Sequence, residues 1–315
     1  MVGGNGSAGP GAAEWLAIAR RAIAHAERLG ADQAEALVLA ERSSLTRFAN
    51  SEIHQNVAEA NAQLNLRFVR GKRIGVASTD RLDDESLRRA AERAGQIASV
   101  VEELDDFVSL PEARPVAPVD GASAAGTADA TPEMRAEGVR AVIGAADAAG
   151  VVAYGAFSTT VESMAVATTL GIGVGQDRTG SQLLTVMMGP DGGTGYAERA
   201  AVDASTIDAS AIGHEAAEKA RASANAIALE PGDYPVVLEE YAVVDILDML
   251  GYVGFSALAV QEGRSFWEKG KRVGSELVTI VDDGADPAGL PSAFDFEGVP
   301  KERVTLIDRG VCDGL

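Results

Sequence analysis

Val57–Thr79 reads VAEANAQLNLRFVRGKRIGVAST, and this stretch decides the fold. Leu64, Leu66 and Phe68 alternate with Asn65, Arg67 and Val69, the period of a strand with one buried and one wetted face. Arg70-Gly71-Lys72 is turn chemistry, so Arg73–Thr79 is predicted to add a further strand to the same antiparallel meander. Upstream, Ala34–Glu41 and Leu45–Gln55 are two more strand-like runs, and before them Ala12–Leu29 places Trp15, Leu16, Ile18, Ala22, Ile23 and Ala26 at helical spacing until Gly30 stops it. After the meander, a helix is predicted from Thr79 or Asp80 to Val101, with Asp83, Asp84 and Glu85 in its first turn, where the macrodipole favours negative charge.

Working outward, Pro111–Ala130 is rich in Pro, Ala, Gly and Ser without periodicity and reads as a linker. Thr131-Pro132 restarts a helix to about Ala149. Strand-like runs follow at Val151–Thr160, Val161–Thr169, Gln182–Met188 and Thr194–Arg199, separated by glycines. A helix is predicted over Asp208–Ala226, a short buried strand over Tyr234–Leu238, a helix from Glu240 to about Leu258, and strands over Leu277–Val281 and Val304–Ile307. The expectation is an α+β fold: an N-terminal antiparallel sheet with helices on one face, a linker, and a β-rich C-terminal domain with helices that reads as incomplete. The corresponding divisions are a flexible start at 1–12, an N-terminal domain at 13–110, the linker at 111–130 and the C-terminal domain at 131–315.

Composition excludes several classes of function. A chain of 315 residues can bury about two domain cores. Its net charge of -20, with 9 basic against 21 acidic side chains in residues 201–315, argues against nucleic acid or an anionic membrane surface as partner. The start MVGGNGSAGPGAA lacks the charge and apolar run of a secretory signal, no run reaches the length of a membrane helix, and Cys312 stands alone. A cytoplasmic location is the expectation.

Each candidate constellation has a plainer explanation beside it. Gly171-Ile-Gly-Val-Gly175 leads into another strand, so a hairpin fits better than a dinucleotide loop. His214-Glu215 begins like a zinc-protease motif, but Glu218 and Lys219 stand where a second imidazole would be needed. His25 and His54 read as polar surface or edge residues, and Cys312 has no evident base. Asp282, Asp283, Asp295 and Glu297 form an acidic cluster in sequence; they could hold Ca²⁺, act as an acid–base pair, or simply shape tight turns.

Thr46-Arg47-Phe48-Ala49-Asn50-Ser51-Glu52-Ile53-His54-Gln55 resembles the N-terminal signature of the TldD/PmbA family of metallopeptidases and their partner subunits. Gly71–Thr79, Asp83–Leu87, Pro231–Leu238, Phe294–Gly298 and Arg309-Gly310-Val311 follow in the family's order, so the resemblance covers nearly all of the chain after residue 12. In the family, the catalytic subunit carries His-Glu-x-x-x-His on the helix after the Pro-Gly-x-Tyr-x-Val-Val-Leu stretch. Here that helix reads from Glu239 and Glu240 to Tyr252 without a histidine. The resemblance is thus to the metal-free PmbA or TldE type. It implies a non-catalytic, substrate-holding subunit that pairs with a zinc-bearing TldD-like subunit in proteolysis of unfolded or leader peptides. No catalytic residue, metal ligand or cofactor is expected in this chain, and zinc is expected in the partner. Candidates for peptide or partner contact are Arg47, Asn50, Asp282, Asp283, Asp295 and Glu297. Family members extend beyond the Arg-Gly-Val motif, so the chain reads as C-terminally truncated. A stand-alone hydrolase using the carboxylates from Asp282 to Glu297, and a non-enzymatic peptide-binding protein, are the competing expectations.

Overall fold

The computed structural model describes residues 10–315; the start assigned to 1–12 lies, up to residue 9, outside them. Two compact units are present. The first runs to Ala226 and takes up Asp286–Lys301; the second comprises Ile227–Ala285 and Glu302–Leu315.

The first unit contains helices α1 (Ala12–Arg28), α2 (Asp84–Val100), α3 (Ala125–Ala128), α4 (Pro132–Ala149) and α5 (Ala209–Ala222) and strands β1 (Gln33–Ala49), β2 (Glu52–Arg70), β3 (Arg73–Thr79), β4 (Val152–Thr168), β5 (Gly173–Met188) and β6 (Thr194–Ala201). The six strands form one antiparallel sheet in the order β3-β2-β1-β4-β5-β6. Even-numbered residues of β1 and β2, including Ala34, Val38, Leu64, Leu66 and Phe68, meet α1 and α2. Phe48 on the same face of β1 joins Phe157, Leu183 and Met187 beneath α4 and α5. All four long helices therefore cover one face, as the alternation in Leu64–Phe68 requires.

The opposite face is covered in part by loops. Met164, Val166 and Ile172 meet Ala293 and Phe294 from the 286–301 segment, with Val116 and Val119 from the expected linker beside them. That linker is not a free tether: Ala124 N donates to Thr179 Oγ1 at 2.9 Å, and the buried Thr127 on α3 donates from Oγ1 to the Val202 carbonyl at 2.7 Å. Pairing of β1 with β4, from Glu35 opposite Thr168 to Phe48 opposite Gly155, places in one sheet strands that the sequence reading divides between 13–110 and 131–315.

Several boundaries differ from expectation for identifiable reasons. The break predicted near residues 42–44 is absent, and β1 continues to a two-residue turn at Asn50-Ser51, both with positive φ of 52° and 59°. That is the backbone a tight hairpin needs, and Asn tolerates it. The two runs read in Val151–Thr169 are likewise one strand, while Gly171, at φ +93°, sits in the expected hairpin turn. Caps set the helix starts. Asp83 accepts from Ser86 N at 3.0 Å and starts α2 later than predicted; Thr131 accepts from Met134 N and Gly150 ends α4 in the left-handed region.

The second unit contains α6 (Glu240–Met249), a π-helical turn at Leu250–Gly254, α7 (Ala257–Gln261) and a small antiparallel sheet of β7 (Ile280–Asp283), β8 (Arg303–Asp308) and β9 (Val311–Cys312). The buried strand expected at Tyr234–Leu238 does not form. Those residues are irregular and Val237 is 99% exposed. The predicted helix from Glu240 to Leu258 is interrupted by the π turn, and α6 buries no residue. Ile307 and Cys312 are the buried pair on the sheet.

Candidate functional site

Glu35 of β1 and Arg67 of β2 stand opposite one another in the ladder on the loop-covered face. Glu35 is 5% exposed and its Oε1 lies 3.5 Å from Arg67 Nη2, while its Oε2 is buried without a hydrogen-bond partner. Burial pushes the Glu35 carboxyl from its usual 4.5 to about 7; Arg67 opposes that rise, and Glu297 and Asp295 add to it. Arg67 Nη1 donates to Glu297 Oε1 at 2.7 Å. One guanidinium thus links a buried carboxylate of the sheet to the segment that lies on it.

Two sequence candidates belong to this cluster. Glu297 is the anchor, and Asp295 shapes the loop: its Oδ1 accepts from Glu297 N and Val299 N, both at 2.9 Å. Gly298 follows at φ +79°, where an added Cβ would sit 2.5 Å from Ile172 Cγ2. Glycine is required by both backbone and space. Glu35 and Arg67 were missed, because Arg67 reads as the wetted phase of a half-buried strand. The signal that would have found them is the register itself, which sets an acid opposite a base.

The other candidates lie elsewhere. Asp282 and Asp283 are on β7 of the second unit, so the sequence cluster of four carboxylates is divided between units. Asp283 is 3.5 Å from Arg303 and accepts from Ala285 N. Asn50 accepts from Tyr154 Oη at 2.8 Å, and Arg47 is exposed beside Gln55. Turn and pairing chemistry accounts for these contacts.

The histidines are separated. His25 is buried, contrary to its reading as a surface residue, and its Nε2 meets Asp84 Oδ1 at 3.0 Å, tying α1 to α2. His54 is exposed on β2. His214 Nδ1 meets the Ser210 carbonyl at 2.7 Å on the exposed side of α5. Helix α6, which follows the Pro231–Leu238 stretch, offers Glu240, Asp245 and Asp248 and no imidazole. Among the described residues, no group of three or more His, Cys, Asp or Glu side chains is arranged to hold a metal ion. These residues do not fit a zinc-peptidase centre.

Comparison with known proteins agrees with the order of elements. Residues 34–98, from β1 into α2, match the PmbA/TldA metallopeptidase domain 1, and residues 231–315 match the PmbA/TldA metallopeptidase C-terminal domain. A metalloprotease of Methanocaldococcus jannaschii is 35% identical over 83 residues, 25% of this chain and 18% of that protein. Among solved structures, TldE from Thermococcus kodakarensis superposes with a TM-score of 0.81 at 22% identity, over 95% of this chain and 69% of its own. A Thermotoga maritima protein described as a candidate modulator of a DNA gyrase superposes at 0.83 with 21% identity, over 95% and 70%. With both family domains matched in order at the two ends of the chain, and the same fold between them, the chain belongs to the PmbA/TldD metallopeptidase family.

Proposed function

We propose that this chain is the non-catalytic, substrate-holding subunit of a heterodimeric metallopeptidase acting on unfolded or leader peptides, in the manner of a PmbA or TldE subunit. The observation that carries this reading is α6, the helix that follows the Pro231–Leu238 stretch: it carries Glu240, Asp245 and Asp248 and no imidazole. When bound in a histidine-bearing partner, zinc would supply the Lewis acid that lowers the pKa of its bound water toward ~7 for attack on an amide. The role left to this chain is to bind and present. The second unit supports such pairing, because Val236, Val237, Tyr252 and Leu277 are exposed apolar side chains of the kind partner surfaces cover. A cytoplasmic location is part of the proposal; no described helix is long and apolar enough to cross a membrane.

The test is hydrolysis of an unfolded peptide by the chain alone and by the chain mixed with a histidine-bearing family member, each with and without chelator, together with metal analysis. Turnover should require the partner and vanish with chelator. Chelator-resistant turnover by the chain alone that is lost in Asp283→Asn or Glu297→Gln would establish a carboxylate hydrolase instead. Stoichiometric zinc lost in His214→Ala would also overturn the reading.

A further inference from the structure

Strand β3 ends the six-stranded sheet, with β2 as its sole strand neighbour. At its C-terminal end, between Ser78–Thr79 and α2, lies an open groove of about 570 Å³. Ser86, Arg89, Arg93 and Gln96 line its helix wall, and Arg81 stands at its end.

The charge of this groove is opposite to that of the chain. Arg89 and Arg93 are exposed and make no ion pair among the described residues, and the 80%-exposed Arg81 side chain reaches no nearer than 3.8 Å to Asp83. The one acidic lining residue, Glu92, is held by Arg88. Three guanidinium groups thus stand beside an open sheet edge on a protein of net charge -20.

We infer that this groove docks an acidic polypeptide segment, which adds to the free edge of β3 as an extended strand and pairs its carboxylates with Arg81, Arg89 and Arg93. An open edge offers main-chain donors and acceptors that a polypeptide can satisfy. The spacing agrees with such an occupant. Arg89 and Arg93 are four residues apart on α2, about 6 Å along its axis, and side chains on one face of a strand recur every ~6.7 Å. Carboxylates at alternate positions of the segment therefore meet successive arginines. From Ser86 to Gln96 the wall extends about 15 Å, room for four or five extended residues. The arginine fork suits a carboxylate bidentately, which makes the contact specific as well as attractive.

This inference does not depend on the presence of a zinc-bearing partner, because the reading is binding to this chain alone rather than hydrolysis. The probe is a fluorescently labelled octapeptide of alternating Glu and Val, followed by anisotropy. It should bind at least tenfold more tightly than its Lys-Val counterpart. The exposed double variant Arg89→Gln/Arg93→Gln should weaken it at least tenfold, with the thermal transition unchanged, while Arg221→Gln on α5 should leave it unchanged. N-methylation of alternate residues keeps the charges and removes edge donors, and should also weaken binding at least tenfold. Equal binding by the double variant would overturn the site. Equal binding of the N-methylated peptide, or its displacement by equimolar inorganic phosphate, would reduce the groove to a general anion surface and overturn strand addition.

Discussion

Arg67 Nη2 lies 3.5 Å from Glu35 Oε1 across one rung of the β1–β2 ladder, with the carboxylate buried and the guanidinium about one-third exposed. Because the same guanidinium reaches Glu297 at 2.7 Å, the protonation state of Glu35 decides how Arg67 is shared. Below neutrality Glu35 carries its proton and the arginine serves Glu297. Above it, two carboxylates compete for one cation.

The first prediction is a pH dependence of stability. Glu35 has a folded pKa of about 7 against an ordinary 4.5, so between those values the native state holds the proton more tightly than the unfolded chain. Stability therefore falls as pH rises from 4.5 through 7, by roughly 3 kcal/mol in total at one pKa unit per 1.36 kcal/mol. Glu35→Gln should raise stability at pH 8 by about 1–3 kcal/mol and change little at pH 4.5. Urea unfolding across this range checks it; an unchanged pH slope in the variant would refute the assignment.

Arg67→Ala should release the 286–301 segment, since it leaves Glu35, Asp295 and Glu297 facing one another with no cation between them. The expected loss is about 1–3 kcal/mol, the cost of stranding a partly buried charge. Hydrogen exchange should increase first at Glu297 N and Val299 N, which are now hydrogen-bonded to Asp295. Exchange that stays unchanged across 286–301 would count against the anchor.

Two glycines should respond in opposite directions to alanine. A Cβ at Gly75 would lie 2.0 Å from Ala94 O and 2.5 Å from Ala98 N, so α2 would have to move off β3. Gly75→Ala should cost more than about 2 kcal/mol by overpacking. Gly144, inside α4, has nothing within 4 Å of such a Cβ, and Gly144→Ala should stabilise by about 0.5–1 kcal/mol through helix propensity. Thermal denaturation of both variants decides it.

Arg135 on α4 is 1% exposed and donates to Thr159 Oγ1 at 3.1 Å, with Nε unpartnered and desolvation holding its pKa below the usual arginine range. Among the described residues, no carboxylate forms an ion pair with it. Arg135→Met should therefore be neutral or stabilising by about 1–2 kcal/mol, as when buried charge is replaced by well-packed apolar volume. A marked fall in melting temperature would show that its hydrogen bonds outweigh the desolvation cost.

Local chemistry determined a good part of this protein. Leu64, Leu66 and Phe68 committed β2 to one buried face, Arg70–Lys72 placed the turn before β3, and Thr131-Pro132 placed the start of α4, because period and capping act over a few neighbouring residues. The missing imidazoles on α6 could also be read directly from the chain. Tertiary structure decided the remainder. Pairing of β1 with β4 brings together residues more than 100 positions apart, and no local period encodes it. Glu35, Arg67 and Glu297 meet for the same reason: two come from opposed strands and the third from a segment 230 residues beyond Arg67. Register and burial then turn an ordinary carboxylate into one poised near neutrality, since desolvation exists only once the sheet and its covering loop are in place.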